Sequence, residues 1–401
     1  MGSEKKLTVS TGEIPATGNK KLAEISPFPT TSSEDITEQD EIRFFEVISV
    51  DLSEAQQARL KSPKKSFPRQ ANVLAVHWHP EFIPIDLIRT RIENTFPDMK
   101  DAVIIPTQHN EITSYDGVYS GVEIDCYSSG FNQKVQLLLH MRKEIGEQAD
   151  VLQSMAAYTY RYRSSQLFEF MHSFVKPVES RIHSAMQTTG ADENTVRFTI
   201  QIVKKIHRMV EKHHDRIPPI MFKNKLLGNY MDLLRDEAGD VLIDRAQSFL
   251  KAVKACVKAE FPMTYFYRTS EVIEEARAVG AGIVIPHPEQ FWPILLADYD
   301  VDGIEIWNPQ SQRYTDFLIS VINRKNSARA RGSRRLLLFM GDDTHMGEKA
   351  KDPEVQNPVK AAREIGVQPG WEDLTIKKQL ILAGMTVEDI MHEYRSRLGT
   401  A

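Results

Sequence analysis

Six of the twelve histidines stand at, or just past, the ends of short apolar runs, in VLAVHWHP, VIIPTQHN, QLLLHM, GIVIPHP and LLLFMGDDTH. His77 and His79 are two apart, so on an extended chain with period two their imidazoles leave the same face. His109, His140, His287 and His345 come from separate runs, and Glu123 in GVEID and Asp343 in GDDTH join them. Any one such histidine is more often a satisfied polar residue than a ligand. Together, imidazoles and carboxylates at a common rim form the donor set of a divalent transition metal.

The elements that must position these groups follow from the same runs. Residues 73–77, 102–106, 120–125, 135–140, 282–286, 303–307 and 335–340 are strand-length and apolar on both faces, which predicts a buried, largely parallel sheet. Amphipathic stretches such as IDLIRTRIENTF, FWPILLADY and YTDFLISVINR lie between them, giving β/α alternation and an α/β fold class. Residues 143–270 contain no convincing strand and repeat helical spacing, so they read as an all-helical insertion. Lying between the runs that end at His140 and His287, it should emerge on the rim of the histidines and could act as a lid. Residues 1–41 are rich in Ser, Thr, Glu, Lys and Pro and read as a disordered tail. Residues 42–142 and 271–347 then form the two halves of the β/α unit, and 348–401 close it with helices.

In α/β barrels functional side chains collect at the C-terminal ends of the strands, and the histidines obey that rule. The segments HWHP, TQHN, GVEID, LLLHM, IPHP, GIEIWN and GDDTH resemble, in order and strand context, the PHP (polymerase and histidinol phosphatase) family of metal-dependent phosphoesterases, over roughly 71–142 and 271–347. The resemblance implies a distorted (β/α)7 barrel whose rim binds two or three divalent ions, zinc, manganese or iron rather than magnesium. It implies metal ligands at His77, His79, Asp86, His109, Glu123, His140, His287, Asp343 and His345, with Glu123 bridging two metals and Glu123, Asp343 and His345 as the catalytic set. Asp86 is equally readable as a first-turn carboxylate of the helix that follows it. Two neighbours depart from the family pattern: Ala75 stands where an Asp commonly precedes the first histidine, and Gln108 replaces the Asp of T-D-H. Asn308 and Asp342, also at run ends, are candidates for substrate binding.

The implied activity is hydrolysis of a phosphomonoester or small phosphodiester by a metal-bound hydroxide, since coordination lowers the pKa of water from about 15.7 towards 7. A nuclease or nucleotide phosphatase is the alternative favoured by the basic residues of 323–335 and by Tyr158, Tyr160 and Tyr162 with Arg161 and Arg163. A non-catalytic metal-binding scaffold is the alternative of another class. A net charge of −5, mixed along 401 residues, calls for neither nucleic acid nor an anionic membrane. The expected partner is a small phosphorylated substrate, with oligomeric state open. Cys126 and Cys256 are unpaired in spacing and read as core residues of a cytoplasmic protein, and no run reaches the roughly 18 apolar residues of a membrane span.

Overall fold

The computed structural model describes residues 35–399, residue 331 aside. Residues 1–34 of the expected tail lie outside that range, and residues 35–41 lie within it. Glu38–Ile48 is a helix, opened by a capping box in which the Thr37 hydroxyl accepts from the Asp40 amide and the Asp40 carboxylate accepts from the Thr37 amide. Residues 38–41, expected in the tail, therefore belong to a helix whose Phe44 and Ile48 enter an apolar core.

Ten strands follow: β1 Asn72–Ala75, β2 Trp78–His79, β3 Asp101–Ile104, β4 Thr113–Ser114, β5 Tyr119–Ser128, β6 Gln133–Arg142, β7 Gly282–Ile285, β8 Gly303–Trp307, β9 Leu337–Met340 and β10 Thr344–His345. Every predicted run overlaps a strand, and β7, β8 and β9 are buried on both faces, as their sequences demand. The prediction of a largely parallel sheet is corrected. β4, β5, β6 and β7 pair antiparallel, and only β7–β8 and β8–β9 continue the six-stranded sheet in parallel. The reason is local. Four residues connect β5 to β6, enough for a hairpin, whereas a parallel neighbour needs a crossover of about a dozen.

Two further parallel pairs, β1 with β3 and β2 with β10, complete a mixed α/β fold. Among the described residues no sheet closes on itself. Backbone hydrogen bonds nevertheless stitch the three sheets together: Thr107 donates to Trp78 at 2.8 Å, Glu123 to Gln108 at 3.1 Å and Asp343 to His77 at 3.0 Å. They bring the ends of β1, β3 and β9 against the middle of β5.

Apolar side chains divide among a core on the six-stranded sheet, built on residues such as Val122, Leu139, Ile283 and Leu338, a smaller core around β1 to β3 with Trp78, Ile92, Phe96 and Met346, and a separate helical core. The helix Asp150–Tyr160 sends Leu152, Met155 and Ala156 into the sheet core, while the helices from Tyr162 to Glu260, with Phe44 and Ile48, form the other. In the helix Glu193–Lys212 the buried Phe198, Ile202, Ile206 and Met209 recur at three and four residues, one stripe of a 3.6-residue period. Cys126 is buried, but Cys256 is only half-buried on the helix Asp240–Glu260. Among the described residues no helix is long and apolar enough to cross a membrane.

Candidate metal centre

Glu123 sits near the middle of β5, buried, and four imidazoles surround its carboxylate. His109 Nδ1 lies 2.5 Å from Oε2 and His287 Nε2 3.3 Å from Oε1; His79 Nε2 and His77 Nε2 follow at 3.7 and 3.9 Å. Asp343 makes a second focus, its Oδ1 lying 3.4 Å from His79 Nε2, 3.4 Å from His345 Nε2 and 3.8 Å from His77 Nε2. The His79 ring is stacked between those of His109 and His345, with centroids 4.3 Å away on each side. Two groups, His77–His79–Glu123 and His79–His109–His345, each place their donor atoms within 4.8 Å of one another, and they share His79. The pairing of β2 with β10, Trp78 opposite Thr344 and His79 opposite His345, is what sets the last of these rings beside His79.

Buried polar atoms are normally paired, yet His77 Nε2, both ring nitrogens of His79 and His287 Nδ1 make no hydrogen bond. These orphaned nitrogens gather beside ionised carboxylates, which is the donor chemistry a divalent cation satisfies. Burial would raise the Glu123 carboxyl, but His109 and His287 outweigh it and hold the group well below the carboxylate range. Asp343 is held down in the same way, by His345 and His79. Burial, reinforced by His109 and His345, pushes His79 down to about 3, so its imidazole is neutral and keeps a lone pair. At His77 burial is overcome by Glu305, then Asp343 and Glu123, and the ring is pushed up to about 10. The carboxylates there favour a cation of some kind.

Strain is concentrated at the same place. Of five non-glycine residues with positive φ among the described residues, His287 (27°), Asp343 (47°) and Glu81 (53°) all line the centre. Such conformations cost about 1–3 kcal/mol each and persist where the surroundings over-determine them. Gly341 is needed for a different reason. A Cβ there would fall 1.5 Å from Glu305 Oε1 and 2.9 Å from His77 Nδ1.

Seven of the nine predicted ligands are brought together: His77, His79, His109, Glu123, His287, Asp343 and His345. Asp86 is not. Its side chain is 89% exposed and paired with Arg89 at 2.9 Å in the first turn of the helix Ile85–Thr95. Nor is His140, whose Nδ1 meets the Tyr394 hydroxyl at 2.6 Å and whose Nε2 meets the Val76 carbonyl at 2.9 Å, leaving no nitrogen free. Asn308 is buried and donates to Glu305 Oε2 at 3.3 Å and to Glu289 Oε1 at 3.2 Å, which makes it an orienting group. Asp342 is fully buried, accepts from the Thr344 and Gly366 amides, and has no surface to offer a substrate.

Sequence reasoning missed Glu305, Glu81 and Arg363. Glu305 accepts from His77 Nδ1 at 2.8 Å and from the His287 amide at 2.7 Å. Its signal was available as the one charged residue in the apolar strand GIEIW. Glu81, two residues past His79, sets Oε1 3.5 Å from His345 Nδ1, and its amide donates to Gln108 Oε1 at 3.2 Å. Gln108 thus holds the turn that carries Glu81. Arg363 pairs with Asp343 Oδ2 at 2.6 Å and Gln310 donates to the same oxygen at 3.0 Å, from segments whose sequence carries no such signal.

No family model matches the chain, and no curated protein matches it. Among solved structures it is similar, at 17% identity with a TM-score of 0.40, to a protein of Bifidobacterium adolescentis provisionally named a metal-dependent phosphoesterase, over 80% of this chain and 96% of that one.

Proposed function

We propose that the chain is a cytoplasmic metal-dependent phosphohydrolase that cleaves a phosphomonoester or small phosphodiester. The observation that carries this reading is the group of orphaned imidazole nitrogens around Glu123 and Asp343. Two or three divalent ions, zinc, manganese or iron, would be held by His77, His79, His109, Glu123, His287, Asp343 and His345. When bound they supply Lewis-acid polarisation of a phosphoryl oxygen and an acidified water. The chain's own groups do the rest. Glu305 fixes the tautomer of His77 by accepting from Nδ1, and Asn308 and the His287 amide in turn hold Glu305. Arg363 and Gln310 hold one oxygen of Asp343 and so aim the other at three histidines. His109 and His345 are the most exposed rings of the group and line a cavity, so a phosphate entering it meets them first. We read the strands of the seven apolar runs, with β6 reversed and no sheet closed among the described residues, as a distorted version of the (β/α)7 barrel of the PHP type, entered from the ends of β1, β3 and β9.

The test is elemental analysis of protein purified without chelator, together with hydrolysis of an aryl phosphate under added zinc, manganese or magnesium. Two or three metals per chain and chelator-sensitive turnover are expected, and Glu123→Gln should abolish turnover while leaving the far-UV circular dichroism unchanged. Normal turnover in that variant would overturn the metal mechanism. Bound metal with no ester hydrolysed would make the chain a metal-binding scaffold.

A further inference from the structure

The cavity beside the histidines is walled by the helical unit, and that wall is cationic. The cavity measures about 450 Å³. Glu81, His109 and His345 line it from the sheet, and Lys223, Lys225, Lys254 and Lys258 line it from the helices together with Arg163. Its carboxylates are already engaged, Glu81 with His345 and the Gly347 amide, Asp125 with Lys134 and Asn110. None of the four lysines forms an ion pair among the described residues, and Lys223 and Lys254 are half-buried. Burial holds all four below the ordinary lysine range; at Lys223 and Lys225 the Glu81 carboxylate opposes it, and neighbouring cations add to it. On an open surface such charges would be solvated. Here, in a chain of net charge −5, they crowd one concavity that opens onto the candidate centre.

We infer that the substrate carries, besides the ester phosphate presented to His109 and His345, a second phosphate group that the lysines of the helical unit hold in this cavity. The inference rests on the phosphohydrolase reading for the first phosphate only. Two monoester phosphates bring about three to four negative charges, which the free cations of the wall can match. A cavity of this size takes a small molecule. A polymer would need a groove along which its backbone could continue.

Two measurements test this on the full chain. In the first, tripolyphosphate and orthophosphate are titrated calorimetrically into chelator-treated protein, wild type and Lys223→Met/Lys254→Met. Tripolyphosphate should bind wild type more tightly, and the double variant should lose at least about tenfold, the cost of one charge-assisted hydrogen bond. Lys223→Arg/Lys254→Arg should recover most of that loss, which a merely misfolded variant would not. In the second, kcat/KM is compared for a sugar bisphosphate and an aryl monophosphate. The ratio should favour the bisphosphate and fall about tenfold or more in the methionine variant. Equal binding of the two anions, or a ratio unmoved by the variant, overturns the second-phosphate site, and tighter binding of a single-stranded oligonucleotide than of tripolyphosphate replaces it with a nucleic-acid site. Lysine-dependent tripolyphosphate binding with no ester hydrolysed would keep the anion site and sink the phosphohydrolase instead.

Discussion

A carboxylate that accepts from the far nitrogen of a liganding imidazole fixes its tautomer and raises its basicity, and Glu305 stands in that relation to His77 at 2.8 Å. Glu305→Gln keeps the shape and removes the charge. Metal affinity, measured by competition with a chromogenic chelator, should fall by about 10- to 100-fold, while the melting temperature of the metal-free protein stays within a few degrees. Unchanged affinity would reduce Glu305 to a buried partner with no influence on the centre. His140 makes the opposite case. Its position at the end of an apolar run is indistinguishable in sequence from that of the ligand histidines. In β6, however, it lies opposite Gly121, and its ring is spent on Tyr394 and Val76. His140→Ala should leave metal stoichiometry untouched and cost about 2–4 kcal/mol of stability, from the cavity and the two abandoned polar groups. Loss of a metal in that variant would return His140 to the ligand set. Residue type and spacing therefore reveal which side chains can ligate. Which of them do depends on register, and register is a property of the paired strand.

Elements were legible where periodicity was strong and obscure where a long-range partner decides. The apolar runs identified the strands, since a run buried on both faces has little alternative. Their direction was misread because the hairpin between β5 and β6 is marked only by the short link from Ser129 to Asn132. The helix Glu38–Ile48 was misread for a related reason: its partners lie more than 150 residues away. Asp40 there is buried, and burial raises its carboxyl, but Lys205 Nζ at 2.8 Å and the Thr37 amide at 2.9 Å outweigh it and hold it below its ordinary 3.8. The Tyr230 hydroxyl donates to the other oxygen at 3.0 Å. A carboxyl depressed in the folded state contributes stability that is present above the unfolded value and is lost as pH falls through the folded one. Asp40→Asn should thus cost about 1–3 kcal/mol at pH 7. The gap between variant and wild type in urea midpoint should close as pH drops below 3.8. A gap that persists into acid would mean that the hydrogen bonds, and not the charge, tie this helix down.

The whole molecule sets a metal-binding rim, held by the two apolar cores of the sheets, against a cation-rich wall that belongs to the helical core. Cations bound at the rim would act on the sheet cores and the helical core unequally. All seven candidate ligands lie on the strands of the sheet unit or beside them, and the helices from Tyr162 to Glu260 supply none. A ligand that binds only the folded state stabilises it by about 2.7 kcal/mol at a hundred times its dissociation constant. For a unit of 150–250 residues that is about 5–11 °C in melting temperature. Chelation followed by calorimetry should therefore lower the transition of the sheet unit by that amount. The helical core, which buries Phe170, Phe174, Tyr230 and Phe249 independently of the rim, should melt where it did before. A single transition shifted as a whole would show that the lysine wall and the rim unfold together, with the cavity between them acting as a shared interface. No shift at all would leave the orphaned nitrogens of His77, His79 and His287 without the cation that the geometry around them calls for.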